Sequence, residues 1–184
     1  MKKALLIASV LFIAVISTAC INNIAVQELN NKAAEYMQKG DYESAVNRLQ
    51  ASIDLDSSMY ETYYNLGIAA TNAKKYEVAI GAIENGLKIK PDYADFYYSL
   101  AVAQAEYAEE LIENDSFEDE NDNIKKEISQ EDKQKSLELM QSAINNIDKY
   151  LELSPQAEDK DEIEELRVSC EEFLTENKTE TTVN

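Results

Sequence analysis

The chain has 184 residues, with 17 Lys and Arg against 36 Asp and Glu, no His, and a formal net charge of −19. That charge excludes a nucleic-acid binder, whose phosphate contacts need Lys and Arg, and disfavours adhesion of the folded domain to an anionic membrane surface. The lack of His excludes an imidazole base, a His-based triad and an imidazole metal site, and with only 4 Gly and 2 Pro the chain favours helices over the many turns of an all-β fold.

The first predicted element is an address. Lys2 and Lys3 precede an uncharged, mostly apolar run from Ala4 to Ala19, the layout of a secretory signal and too short to span a bilayer. The run ends Ile16-Ser17-Thr18-Ala19-Cys20. Small residues before a cysteine resemble the lipobox of bacterial lipoproteins. The resemblance implies a signal peptide over 1–19 and a lipid-modified Cys20 as first mature residue, anchored to the bilayer through its acyl chains. Ser17 departs from the Leu, Val or Ile usual at its place. Ser17 and Ala19 also fit the small-x-small site of ordinary signal peptidase, which would free the same N-terminus without lipid.

After a short tether, residues 20–25, a period begins. Ala33, Gly67 and Ala101 stand 34 residues apart, as do Leu29, Tyr63 and Tyr97. Tyr42 and Tyr76, Ala45 and Ala79, and Leu49 and Ile83 repeat the interval. Within each unit the apolar residues fall at helical spacing, as in Ala79, Ile80, Ile83 and Leu87. Gly40-Asp41 breaks the chain between two helices and Pro91 follows a helix end. The small residues Ala33, Gly67, Ala101, Ala45 and Ala79 let the two helices of a hairpin approach closely. One such hairpin cannot bury its apolar face alone, whereas a stack can.

These residues resemble the tetratricopeptide repeat. Tyr63-Tyr64-Asn65-Leu66-Gly67 looks like its W/Y-x-x-L-G opening, and Tyr76, Ala79, Ile83 and Pro91 fall at later signature places. Gly86 replaces the usual Ala, Lys32 stands where Leu is usual, and Ser57 where Pro is usual. The expected fold is all-α, an α-α superhelix of about three helical hairpins plus a C-terminal capping helix. The units are placed at 26–59, 60–93 and 94–155, within a repeat domain over 26–155.

The third unit is interrupted. Ala143, Ile147, Leu151 and Pro155 lie 64 residues after Ala79, Ile83, Leu87 and Pro91 rather than 34. Tyr150 stands where a small residue is normal. The extra stretch, about 109–138, is acidic, and two helices running past the stack are expected there, joined by an exposed loop near Asn114 to Asn123. Asp115, Asp119 and Asp122 do not fit a calcium loop, because Gly and Glu are missing at its sixth and twelfth places. An amphipathic capping helix is expected over 156–176 and a frayed tail over 177–184. Cys170 falls on its apolar face, with Glu171 and Glu172 opposing a reactive thiolate.

The repeat resemblance implies a partner-binding concave groove lined by first helices. Its positions here are Asn30 and Ala34 in the first unit, Glu61, Tyr64, Asn65 and Ile68 in the second, and Asp95, Tyr98 and Val102 in the third. Such a strip suits an extended or helical segment of another protein with apolar anchors and basic character. Some relatives grip a peptide carboxylate with a Lys/Asn/Arg clamp. Asn30, Ala34, Asn65, Asp95 and Ser99 occupy those places, and only Asn65 matches. No Gly-rich phosphate loop is present and no acid pair is set in a shaped pocket, so no catalytic residue, cofactor or metal is expected. The expectation is a non-catalytic scaffold or adaptor, a lipoprotein of the bacterial cell envelope facing the periplasm or cell exterior. The alternative is a self-associating structural module.

Overall fold

The computed structural model describes residues 23–115 and 129–179. The signal peptide, Cys20, Asp119, Asp122 and most of the loop in the acidic insertion lie outside them. Seven helices form among the described residues: α1 (23–38), α2 (Tyr42–Leu55), α3 (Tyr60–Asn72), α4 (Tyr76–Ile89), α5 (Ala94–Asp115), α6 (Gln130–Leu153) and α7 (Lys160–Thr179). They are all-α, as expected, and pack as successive antiparallel hairpins α1/α2, α3/α4 and α5/α6, closed by α7.

Local chemistry sets the turns. α1 ends where Gly40, at φ 73°, takes the left-handed conformation, and the Asp41 N–H returns to Tyr36 O at 2.9 Å. Asp41 then caps α2, its carboxylate accepting from Ser44 N–H at 3.1 Å. One repeat later the same turn recurs with Lys74 at φ 56° and Lys75 N–H bonded to Ala70 O at 2.8 Å. The period therefore repeats in the backbone even where glycine is absent. Ser129 caps α6, its hydroxyl accepting from Asp132 N–H at 3.0 Å and donating to the Asp132 carboxylate at 2.6 Å.

α1 begins inside the segment expected as a tether, since nothing between Ile21 and Ala25 is Gly or Pro. α7 runs three residues past 176, to Thr179. The Thr175 hydroxyl and the Asn177 amide donate back to the carbonyls of Glu171 and Phe173, both at 2.9 Å.

The core is two clusters sharing α5. Phe96, Leu100 and Ala103 face the α1–α4 cluster, while Ala101, Ala105 and Ala108 face α6 and α7. Ala33, Ala45, Gly67, Ala79 and Ala101 are all buried. A Cβ on Gly67 would run into Ile83, and one on Gly86 would run into the Phe96 ring. Gly86 thus replaces Ala because a fully buried phenyl ring sits on it.

The insertion lengthens both helices of the third hairpin, to 22 residues in α5 and 24 in α6, against 13 and 14 in α3 and α4. Its base is clasped to the stack. The Tyr107 hydroxyl donates to Glu77 and accepts from Lys135 Nζ, and Tyr107 stacks on Tyr76 at 5.4 Å. Ser136 Oγ donates to Ala108 O at 3.0 Å.

Candidate functional groove

The first helices of the hairpins, α1, α3 and α5, carry all nine groove positions. Asn30, Ala34 and Asn65 are brought together, lining a pocket of about 250 Å³ with Met37, Gln38 and Leu49. Asn30 is partly committed: its amide donates to Val26 O at 2.9 Å and to the buried Ser52 hydroxyl at 2.7 Å. It therefore offers a ligand only its carbonyl oxygen.

Tyr64 belongs to an aromatic cluster. Its ring meets Tyr93 at 5.5 Å and Phe96 at 5.6 Å, both edge-on, and Tyr93 meets Tyr60 at 5.4 Å. Lys90 Nζ lies 4.2 Å from the Tyr60 ring centre and 5.0 Å from that of Tyr93 and donates to the Tyr60 hydroxyl at 3.1 Å. Burial raises the Tyr64 phenol pKa, with the Asp95 carboxylate adding and Ser99 opposing. Tyr93 is raised by burial and by its bond with Asp95. Tyr98 packs against Tyr150 at 5.7 Å. Tyr64, Ile68, Asp95, Tyr98 and Val102 are half-buried, while Ala34 and Glu61 are exposed.

The tyrosines thus divide their surface between core and groove. The sequence reading missed Tyr60, Tyr93 and Lys90. The signal was present: Tyr60 and Tyr64 share a face at i, i+4, and Tyr93, the last residue of its unit, lies beside the first turn of α5. Tyr150, noted at the place normally small, is buried, and its hydroxyl donates to Asp159 Oδ1 at 3.2 Å, a contact the sequence did not announce.

Among the described residues no group of three or more Cys, Asp or Glu is gathered to hold a metal ion, and no helix is long and apolar enough to cross a membrane. Cys170 is buried, and burial, with Glu109 and Glu171, pushes its thiol up to about 11.

Hairpins stacked at this period around an open groove define the tetratricopeptide-repeat fold. Residues 33–70, from α1 into α3, match a family model described as TPR repeat. Among solved structures, the chain is similar to the Arabidopsis OM64 TPR domain, at 17% identity over 79% of this chain and 97% of that one, with a TM-score of 0.57. It is similar also to the second TPR domain of human RPAP3 in complex with HSP70 peptide SGPTIEEVD, at 14% identity over 85% and 98%, with a TM-score of 0.56. The TPR2B domain of yeast Sti1 in its pHsp70 complex shares 17% identity over 81% and 98%, with a TM-score of 0.55. No curated protein sequence matches the chain.

Proposed function

We infer that the chain is a non-catalytic scaffold that holds a segment of another protein in its concave groove. It works from the bacterial envelope, tethered to the membrane through lipid on Cys20. The observation that carries the groove reading is the strip of Tyr64, Ile68, Tyr98 and Val102, half-buried on the first helices of two successive units. Rigid aromatic surface of this kind gives contact area at low entropic cost. Domains of the same fold from human RPAP3 and yeast Sti1 hold peptides of HSP70. The RPAP3 peptide is acidic, whereas here the clamp positions Asn30, Ala34, Asn65, Asp95 and Ser99 carry no Lys or Arg. The segment that fits is apolar and basic instead.

Photocrosslinking from position 68 in the native host, followed by identification of the crosslinked protein, tests the groove. Ile68→Glu and Val102→Glu put charge on the strip without touching the aromatic cluster, and Tyr64→Ala with Tyr98→Ala removes the anchors. Each pair is expected to abolish capture while the thermal transition remains cooperative, and unchanged capture rejects the groove. Mass spectrometry of the native protein tests the anchor separately: acylated Cys20 supports it, and a free Cys20 thiol after cleavage rejects it.

Self-association through α7 is the second reading, favoured by Val168, 49% exposed on its outer face. Asp161, Glu164, Glu165 and Glu172 surround Val168, so two copies would bring like charges together. Light scattering in detergent is expected to report a monomer.

A further inference from the structure

At one end of the groove three helices converge. Tyr98 of α5 and Tyr150 of α6 have ring centres 5.7 Å apart. The Tyr150 hydroxyl holds the Asp159 carboxylate at 3.2 Å. Asp159 is also the N-cap of α7, since its carbonyl accepts the first helical bond from Ile163 N–H at 3.1 Å. Tyr150 is buried, Tyr98 and Asp95 are half-exposed, and Asp159 and Glu162 are exposed. An aromatic ring and an oriented carboxylate therefore meet at the surface.

The charge beside these two rings is negative. After burial, Glu162 and Asp159 raise the Tyr98 phenol pKa, and Asp159 and Asp95 help push Tyr150 up to about 12. Among the described residues, Asp95, Asp159 and Glu162 make no ion pair. By contrast, Lys90 already lies over the rings of Tyr60 and Tyr93 within the same groove. No set of ligands is gathered for a metal among the described residues. A tyrosine flanked by carboxylates suits an organic cation, attracted both by the ring and by the charge.

We propose that Tyr98, Asp95, Asp159 and Glu162 form a subsite for a cationic side chain, Lys or Arg, of the segment docked in the groove. This rests on the groove reading above and adds to it a place and a chemistry. The capping helix then has a second role, supplying two of the three carboxylates that select the partner.

The probe is a displayed library of random 12-residue peptides, selected on the full chain in non-ionic detergent at physiological salt. Selected peptides are expected to carry apolar anchors with Lys or Arg at a fixed offset. Asp159→Asn with Glu162→Gln removes two of the three charges and keeps a competent helix cap, and Tyr98→Leu removes the ring face. Each is expected to weaken a selected peptide about three- to ten-fold, and replacing its Lys by acetyl-lysine is expected to do the same on the unaltered chain. Glu164→Gln with Glu165→Gln, on the outer face of α7, is expected to change nothing. Equal weakening by that control pair, or binding that survives the Asp159 and Glu162 changes, overturns the subsite while the groove stands. Peptides bound equally well by the Ile68→Glu chain overturn the groove itself, and the subsite with it.

Discussion

At the scale of single residues, two glycines in one helix make opposite predictions. A Cβ on Gly86 would enter the Phe96 ring, whereas one on Gly81 would meet nothing within 4 Å. Gly86→Ala is expected to destabilise by about 1–3 kcal/mol through overpacking, and Gly81→Ala to stabilise by up to about 1 kcal/mol through helix propensity. Urea denaturation followed by circular dichroism reads both, and a harmless Gly86→Ala would show that Phe96 is not seated on α4. Thr62 offers a third case. It is 1% exposed, and its hydroxyl has no hydrogen-bond partner. Thr62→Val keeps the shape and removes an unpaired buried polar group, so it is expected to be neutral or stabilising by up to about 1 kcal/mol. A loss of stability would reveal a partner for that hydroxyl.

At the scale of elements, α5 is the keystone. It is apolar on both sides, with Phe96 and Ala103 in one cluster and Ala101 and Ala108 in the other, so neither core is complete without it. The extra length of α5 and α6 is tied down at its base by Tyr107, 8% exposed, between Glu77 and Lys135. Glu77 and Lys135 are 70% and 45% exposed, and solvent screens their pairing. Tyr107→Phe keeps the stacking on Tyr76 and is expected to cost only about 1 kcal/mol. Its local signature is faster amide exchange in the first turns of α6 with α2 and α3 unchanged. Faster exchange everywhere would mean that the clasp belongs to the global core.

At the scale of the whole molecule, charge sets the response to pH. The net charge of −19 repels itself. Glu106 and Glu109 have raised pKa values, burial being the first cause, with Glu109 acting on Glu106 and Glu113 on Glu109. A carboxyl raised in the folded state favours its protonated form there, so stability is lost as pH rises from 4.5 through the raised values. Glu77 is lowered, chiefly by the Tyr107 hydroxyl, and its contribution is lost as pH falls below 4.5. The melting temperature is therefore expected to rise from pH 7 toward pH 5 and to fall again in stronger acid. Glu106→Gln with Glu109→Gln should raise it at pH 7 and flatten the rise. A melting temperature that falls steadily from pH 7 to pH 5 would contradict this assignment.

The sequence by itself determined the periodic part of this protein. Ala33, Gly67 and Ala101 marked the hairpins because close helix contact tolerates only small residues at fixed intervals, and that constraint is local enough to read along one chain. The nine groove positions followed from the repeat resemblance, and they fall on the first helices α1, α3 and α5. Only the tertiary structure decided what departs from the period. Gly86 needed Phe96 beside it to be explained, and the large Tyr150 needed Tyr98 and Asp159. Those contacts join residues of different units or helices, and their distances depend on how the hairpins are stacked. The negative, aromatic end of the groove was hidden for the same reason: three separate helices build it, and no spacing in the sequence announces their convergence.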